Sequence, residues 1–203
     1  MEEQIRFLLL KQMLQKEHID LAAIEVPLMQ GKRKIDLMVI ENKKLIAYEI
    51  KSCKDNLAKL DGQISDYLKI FDRVYLVLDK KFEQNIIKIP NQVGIILFDG
   101  ERQKFKIIRK PKINSPIMYY QSLFINNKNL QSYNAKKIKN IFDLRHFLVK
   151  NLKKEDFRRL VFKCLREKYF YGFKLFQKNF YNNEIHLSDI YLLCYSSEIK
   201  ISA

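Results

Sequence analysis

Two apolar segments, residues 34–41 and 44–51, are separated by only Asn42-Lys43. A two-residue connection fixes both a hairpin and its register, so this pair constrains the fold more than any other stretch. With that loop, Glu41 faces Lys44 and Ile40 faces Leu45, and the same count sets Asp36 against Glu49. Facing residues point to one side with Cβ atoms roughly 4.5–5.5 Å apart. Alternation then places Lys51 on the side of Glu49. Carboxylates this close repel one another, and a divalent cation relieves the repulsion. Hard oxygen donors suit magnesium, which takes one or two protein carboxylates and keeps several waters. A lysine beside them can steady an attacking water or the charge developing on phosphorus, the chemistry of metal-assisted phosphodiester hydrolysis. By spacing alone, the trio also reads as a solvated salt-bridge cluster on an exposed sheet face.

The surrounding pattern predicts an α/β fold with a central mixed β-sheet flanked by helices. Residues 2–16 have the period of an amphipathic helix, with Ile5, Leu8, Leu9, Gln12 and Met13 near one face. Residues 24–28 read as an extended segment that Pro27 confines to an edge. A helix is expected over 56–69 with Asp55 as its N-cap, then an interior strand at 73–78 and a polar helix near 80–87. Strands at 94–98 and 103–108 flank the turn Asp99-Gly100. The core domain is thus expected over residues 1–110. A connector carrying Pro111 and Pro116 follows over 111–134, and then a basic, aromatic-rich helical region over 135–203 whose residues 135–170 are helical by pattern.

Lys and Arg number 38 against 23 Asp and Glu, a net charge of +15. Such a chain attracts polyanions at long range, nucleic acid first among them, although a Lys-rich composition is also what an AT-rich genome encodes. Three cysteines without C-x-x-C spacing exclude a disulfide framework and a zinc module as expectations. His18, His146 and His186 are scattered without ligand spacing. There is no glycine-rich phosphate loop, and no apolar run reaches the roughly 18 residues of a membrane span. A cytoplasmic protein that does not engage membranes is expected.

The hairpin's neighbours carry a resemblance. The stretches Gly31–Asp36, Leu45–Ser52, Asp55–Tyr67, Phe71–Val74 and Ile89–Ile95 resemble, in order and spacing, the PD-(D/E)XK nuclease superfamily. The likeness spans residues 20–98. More narrowly, they look like a family of small standalone bacterial proteins whose pattern runs Arg-x-Asp, Tyr-Glu-Ile-Lys-Ser, Asp-x-Leu and Gln-x-x-x-Tyr. Three departures stand out: Ile35 where the superfamily has Pro, Lys59 where the family has Arg, and Gln92-Val93 in place of an aromatic pair.

The resemblance implies a restriction-endonuclease-like core and a Mg²⁺-dependent nuclease, DNA favoured, acting in repair or defence, with Mn²⁺ able to substitute. Asp36, Glu49 and the Ile50 carbonyl would hold the metal, Lys51 would assist catalysis, and Gln63 would line the site. Glu25, Arg33 and Tyr67 would support it. Lys54, Lys59, Lys136, Lys137, Arg158 and Arg159 are candidates for backbone contacts with nucleic acid. A homodimer or larger assembly is compatible with the apolar content of the C-terminal part. The alternative function is a non-catalytic nucleic-acid- or partner-binding module on the same fold.

Overall fold

A computed structural model describes residues 1–16, 18–133 and 137–194. Asn42 and Lys43 both take positive φ, 49° and 57°, the backbone pair of a type I′ hairpin turn, whose twist matches that of the flanking strands. Around this hairpin grows one sheet of six strands: β1 (Leu21–Leu28), β2 (Arg33–Glu41), β3 (Lys44–Lys51), β4 (Arg73–Asp79), β5 (Gly94–Asp99) and β6 (Lys104–Arg109). Their spatial order is their chain order. β1–β2, β2–β3 and β5–β6 run antiparallel, whereas β3–β4 and β4–β5 run parallel. The sheet is therefore mixed, with helices flanking it. Pro27 lies in β1, an edge strand, where its missing N–H breaks no ladder. β4 sits in the interior, and its apolar run is buried from Leu76 to Leu78.

Several boundaries differ from the sequence expectation. β1 begins at Leu21, because the burial of Leu21, Ala22 and Ala23 outweighs alanine's weak strand preference. The helix α1 (Glu2–Lys16) spans the expected residues, but it buries Phe7, Leu10 and Leu14 along with Ile5, Leu9 and Met13, while Leu8 and Gln12 are half-buried. The next, α2 (Leu60–Leu68), starts later than expected, and Asp55 is not its N-cap. Asp55 instead closes a turn, its carboxylate accepting from the Ser52 amide at 2.8 Å and the Ser52 hydroxyl at 2.6 Å. The segment Lys80–Lys88 is a run of 3-10 turns capped by Asp79 rather than an α-helix.

Beyond β6 the chain forms α3 (Met118–Ser122), α4 (Asn127–Gln131), α5 (Ile141–Asn151) and α6 (Lys154–Tyr181). The single helical stretch expected over 135–170 is two helices, parted at Leu152-Lys153, where both residues leave helical geometry. In α6, Phe157, Leu160, Val161, Cys164, Leu165, Tyr169, Phe173 and Phe176 are buried, the i, i+3, i+4 spacing of one apolar face. This face joins the same buried cluster as the sheet, and Phe176 meets Phe7 of α1 edge-on at 6.4 Å. The connector is likewise docked: the Gln121 amide donates to the Ile70 carbonyl at 2.8 Å, and the Asn114 amide nitrogen donates to the Asp72 carbonyl.

Gly172 lets a second backbone close onto α6. A Cβ there would stand 2.0 Å from the Leu192 carbonyl oxygen in the 3-10 segment Leu187–Cys194. Alanine is the better helix former by about 1 kcal/mol, yet Gly172→Ala should destabilise the protein by about 1–3 kcal/mol through overpacking. Urea unfolding checks this, and a gain in stability would contradict the close approach.

Candidate functional site

The ladder between β2 and β3 follows the expected register from Glu41–Lys44 to Leu37–Tyr48 and then stops, one pair short of Asp36 and Glu49. Beyond that point the strands part. β2 stays paired with β1 as far as Arg33, and β3 stays paired with β4 as far as Lys51. The two carboxylates therefore flank a gap instead of forming a ladder pair. Asp36 Oδ2 accepts the Ile50 N–H at 2.6 Å, replacing the strand carbonyl that the gap removes. The N–H and C=O of one strand residue face the same neighbour, so the Ile50 carbonyl also points toward β2.

Glu49 is 1 % exposed and gathers three donors. Its Oε1 accepts from Lys51 Nζ at 2.6 Å and from Gln63 Nε2 at 2.5 Å, and its Oε2 accepts from the Tyr67 hydroxyl at 2.7 Å. α2 supplies Gln63 and Tyr67 from one face, four residues apart. Tyr67 also lies 3.1 Å from the Lys34 carbonyl and so bridges the parted strands. Burial, then the charge of Glu49, pushes the Tyr67 phenol far up, which keeps it a proton donor. The Asp36–Glu49–Lys51–Gln63–Tyr67 set expected from sequence is thus brought together.

Sequence reasoning missed two members of this neighbourhood, Glu2 and Arg6 of α1. Flanking register pairs Ile24–Leu37 and Val26–Ile35 set Glu25 opposite Asp36, and Glu25 adopts a left-handed φ of 52°, uncommon for a residue with a side chain. Arg6, 2 % exposed, bonds Glu2, reaches Glu25 Oε1 at 2.6 Å and stands 4.0 Å from Asp36 Oδ1. Lys34 pairs with the other Glu25 oxygen at 2.8 Å. The signal for Arg6 was in the sequence: it lies three and four residues before Leu9 and Leu10, inside the apolar stripe of α1.

The donors are of the type a hard cation takes, although the Arg6 guanidinium already stands among them. Carboxylate oxygens of Glu2, Glu25 and Asp36 come within 4.8 Å of one another, and all are the oxygen ligands that Mg²⁺ takes. Gln63 Oε1 is buried and finds no partner among the described residues. Glu49 accepts from three donors, and the Glu25 and Glu2 carboxylates are likewise already paired, Glu25 with Arg6 and Lys34 and Glu2 with Arg6.

Burial, then the charge of Glu49, raises the Asp36 carboxyl well above its ordinary range, with the Ile50 N–H opposing. The folded value lies above the unfolded one, near 3.9. Stability from this group is therefore complete below the unfolded value and lost as pH rises through the folded value. Asp36→Asn keeps an acceptor for Ile50 and removes the titration. In EDTA at pH 8 it should melt above wild type, and the difference should vanish toward pH 4. Equal melting temperatures at pH 8 would contradict this reading.

The other expected residues are spread more widely. Arg33 stands three residues before Asp36, and its Nε donates to Asp66 Oδ2 of α2 at 2.8 Å. Lys54 and Lys59 are exposed in the loop between Lys51 and α2, beside the gap. Arg158 bonds buried Asp72 and, at 2.8 Å, the Lys43 carbonyl at the hairpin turn. From Asp36 to that turn is roughly 17–20 Å of strand, so Arg158 and exposed Arg159 lie at the opposite end of the hairpin from the gap. Lys137 is exposed. Lys136 lies outside the described residues.

These features define a mixed α/β protein with a partly buried acidic cluster where two strands of its sheet part. The sequence profile described as Bacteriophage P4 protein cII matches residues 1–194, and the chain belongs to that family. It is 32 % identical over 119 residues to protein cII of Enterobacteria phage P4, across 56 % of this chain and 45 % of that protein. The match thus spans less than half the length of this curated relative. Among solved structures, it is similar to the SPO1766 protein of unknown function from Silicibacter pomeroyi, with a TM-score of 0.37 and 20 % identity over 60 % of this chain and 84 % of that one. No helix of the described residues is long and apolar enough to cross a membrane.

Proposed function

We propose that this chain is a Mg²⁺-dependent nuclease with a restriction-endonuclease-like core. The observation that carries the proposal is the contact of Lys51 with Glu49 at the parted ends of β2 and β3, beside Asp36. A pure salt-bridge cluster on an exposed face would leave these groups in solvent, whereas Glu49 is almost fully buried and braced by Gln63 and Tyr67. Groups held this firmly are suited to act on a substrate without reorganising.

Asp36, Glu49 and the Ile50 carbonyl would hold the cation, with the carboxylates of Glu25 and Glu2 close to Asp36. Bound there, Mg²⁺ supplies polarisation of a phosphoryl oxygen and a water of lowered pKa. Lys51, its ammonium fixed by Glu49, orients the attacking water and stabilises charge as it develops on phosphorus. Gln63 fixes Glu49 and through it Lys51. Lys54 and Lys59 flank the gap and hold phosphates. Contacts of this kind imply weak sequence preference and affinity that falls steeply with salt. DNA is the favoured substrate, and repair or defence the favoured setting.

One observation favours a second reading, a non-catalytic binding module. Arg6 already neutralises the acids that a cation would join. Calorimetric titration with Mn²⁺ or Mg²⁺ separates the two. The nuclease reading expects saturable binding, with a melting temperature about 5–10 °C higher at a hundredfold excess over Kd, and loss of both in Asp36→Asn. Absence of binding in the wild type would leave Arg6 as the resident counter-charge and favour the module.

A further inference from the structure

An open cleft of about 590 Å³ lies beside α2, lined by residues from the start of β2, α3 and α5. Its rim carries an aromatic cluster. Tyr119 stacks on His146 at 4.5 Å and 21°, and Phe142 lies 5.6 Å from both rings. Phe142 is 50 % exposed, a costly placement for a ring that only fills a core. Opposite stand Lys32, Arg33 and Lys69. Arg33 and Lys69 share the single carboxylate of Asp66, at 2.8 and 2.9 Å, so the wall keeps a net positive charge. Asp66 lies three residues from Gln63 and adjoins Tyr67 on α2, about one helical turn, or ~5 Å, from the groups that hold Glu49.

We infer that this cleft binds single-stranded nucleic acid, with unpaired bases stacking on the Phe142–Tyr119–His146 cluster and phosphates meeting Lys32, Arg33 and Lys69. The occupant follows from two chemistries on one surface. A cationic wall alone serves any polyanion, duplex included. Exposed aromatic faces add affinity only where base faces are free, and in a duplex those faces are stacked internally. The inference rests on the nuclease reading for what happens to the strand, and there it names the substrate class: a single strand led along α2 to Asp36 and Lys51.

The chain contains no tryptophan, so Phe142→Trp introduces one indole at the proposed platform. In EDTA, where hydrolysis does not intervene, oligothymidylate should quench its fluorescence saturably, and a duplex of equal length should do so far less. Phe142→Ala and Phe142→Leu should each weaken oligothymidylate binding about tenfold, whereas Phe142→Trp binds at least as well as wild type. The leucine variant keeps apolar volume without a π face and so separates stacking from packing. The inference is overturned if the alanine and leucine variants bind as wild type does, if the indole is not quenched, or if duplex binds as tightly as single strand. Loss of binding in these variants from a protein that cleaves nothing with Mg²⁺ would sustain the platform and remove the nuclease reading. Unchanged binding in variants of a protein that does cleave would do the reverse.

Discussion

If the chain is the proposed nuclease, Lys51→Ala should slow hydrolysis of a nucleic-acid substrate by about 10²–10⁴-fold, the range spanned by loss of one positioned proton-transfer or charge-stabilising group. The expectation follows from where the ammonium sits. Lys51 ends β3, is 14 % exposed, and bonds Glu49 rather than a surface acid. It is therefore held by a buried carboxylate at the end of β3, where β2 and β3 have parted. The variant also removes one of three donors from a buried carboxylate, which should cost about 1–3 kcal/mol. A melting curve measured with the kinetics shows that folded protein is being assayed. Lys51→Arg should not restore the rate, because a planar guanidinium cannot occupy the space of a compact ammonium. Single-turnover rates at saturating metal give the comparison, and an unchanged rate in the alanine variant would remove Lys51 from the chemistry.

The largest expected effect on stability lies away from the gap. Asp72 is 4 % exposed and accepts the Leu45 N–H at 2.7 Å and the Arg158 guanidinium. Arg158 also holds the Lys43 carbonyl, so one side chain ties α6 to the hairpin turn and to the start of β4. Arg158→Ala strands a buried carboxylate and should cost about 3 kcal/mol, near 6–12 °C in melting temperature. Arg159, one position on, pairs with Asp156 in solvent, and its alanine variant should stay within about 0.5 kcal/mol of wild type. Equal melting temperatures for the two variants would show that the Arg158–Asp72 bond carries no weight. The sequence alone reads both arginines as contacts to nucleic acid. The structure gives Arg158 a partner inside the protein.

What was legible in the sequence follows the range of the interactions. The hairpin register depends on a two-residue turn and alternation, and from it came the convergence of Asp36, Glu49 and Lys51. Gln63 and Tyr67 lie on one helix face and needed only its period. The parting of β2 and β3 was not legible, because it depends on each strand keeping its outer neighbour while Tyr67 enters between them. Glu2 and Arg6 reach the site from the first helix, 30 residues or more before Asp36; the apolar stripe marks Arg6 as buried, but no local pattern links either residue to Asp36. The cluster of Tyr119, Phe142 and His146 was invisible for the same reason. Its members come from α3 and α5, which read as a connector and a separate helical region until the fold brings them together.

The central claim is that the acidic gap hydrolyses phosphodiester bonds with a bound divalent cation. The most direct measurement is incubation of wild type and Asp36→Asn with end-labelled single-stranded and duplex oligonucleotides in Mg²⁺, Mn²⁺ or EDTA. The account predicts cleavage by the wild type in either metal, fastest on the single strand, with none in EDTA and none by the variant. Cleavage that survives EDTA or the Asp36 substitution, or no cleavage of any substrate by a wild type that binds it, would contradict the account.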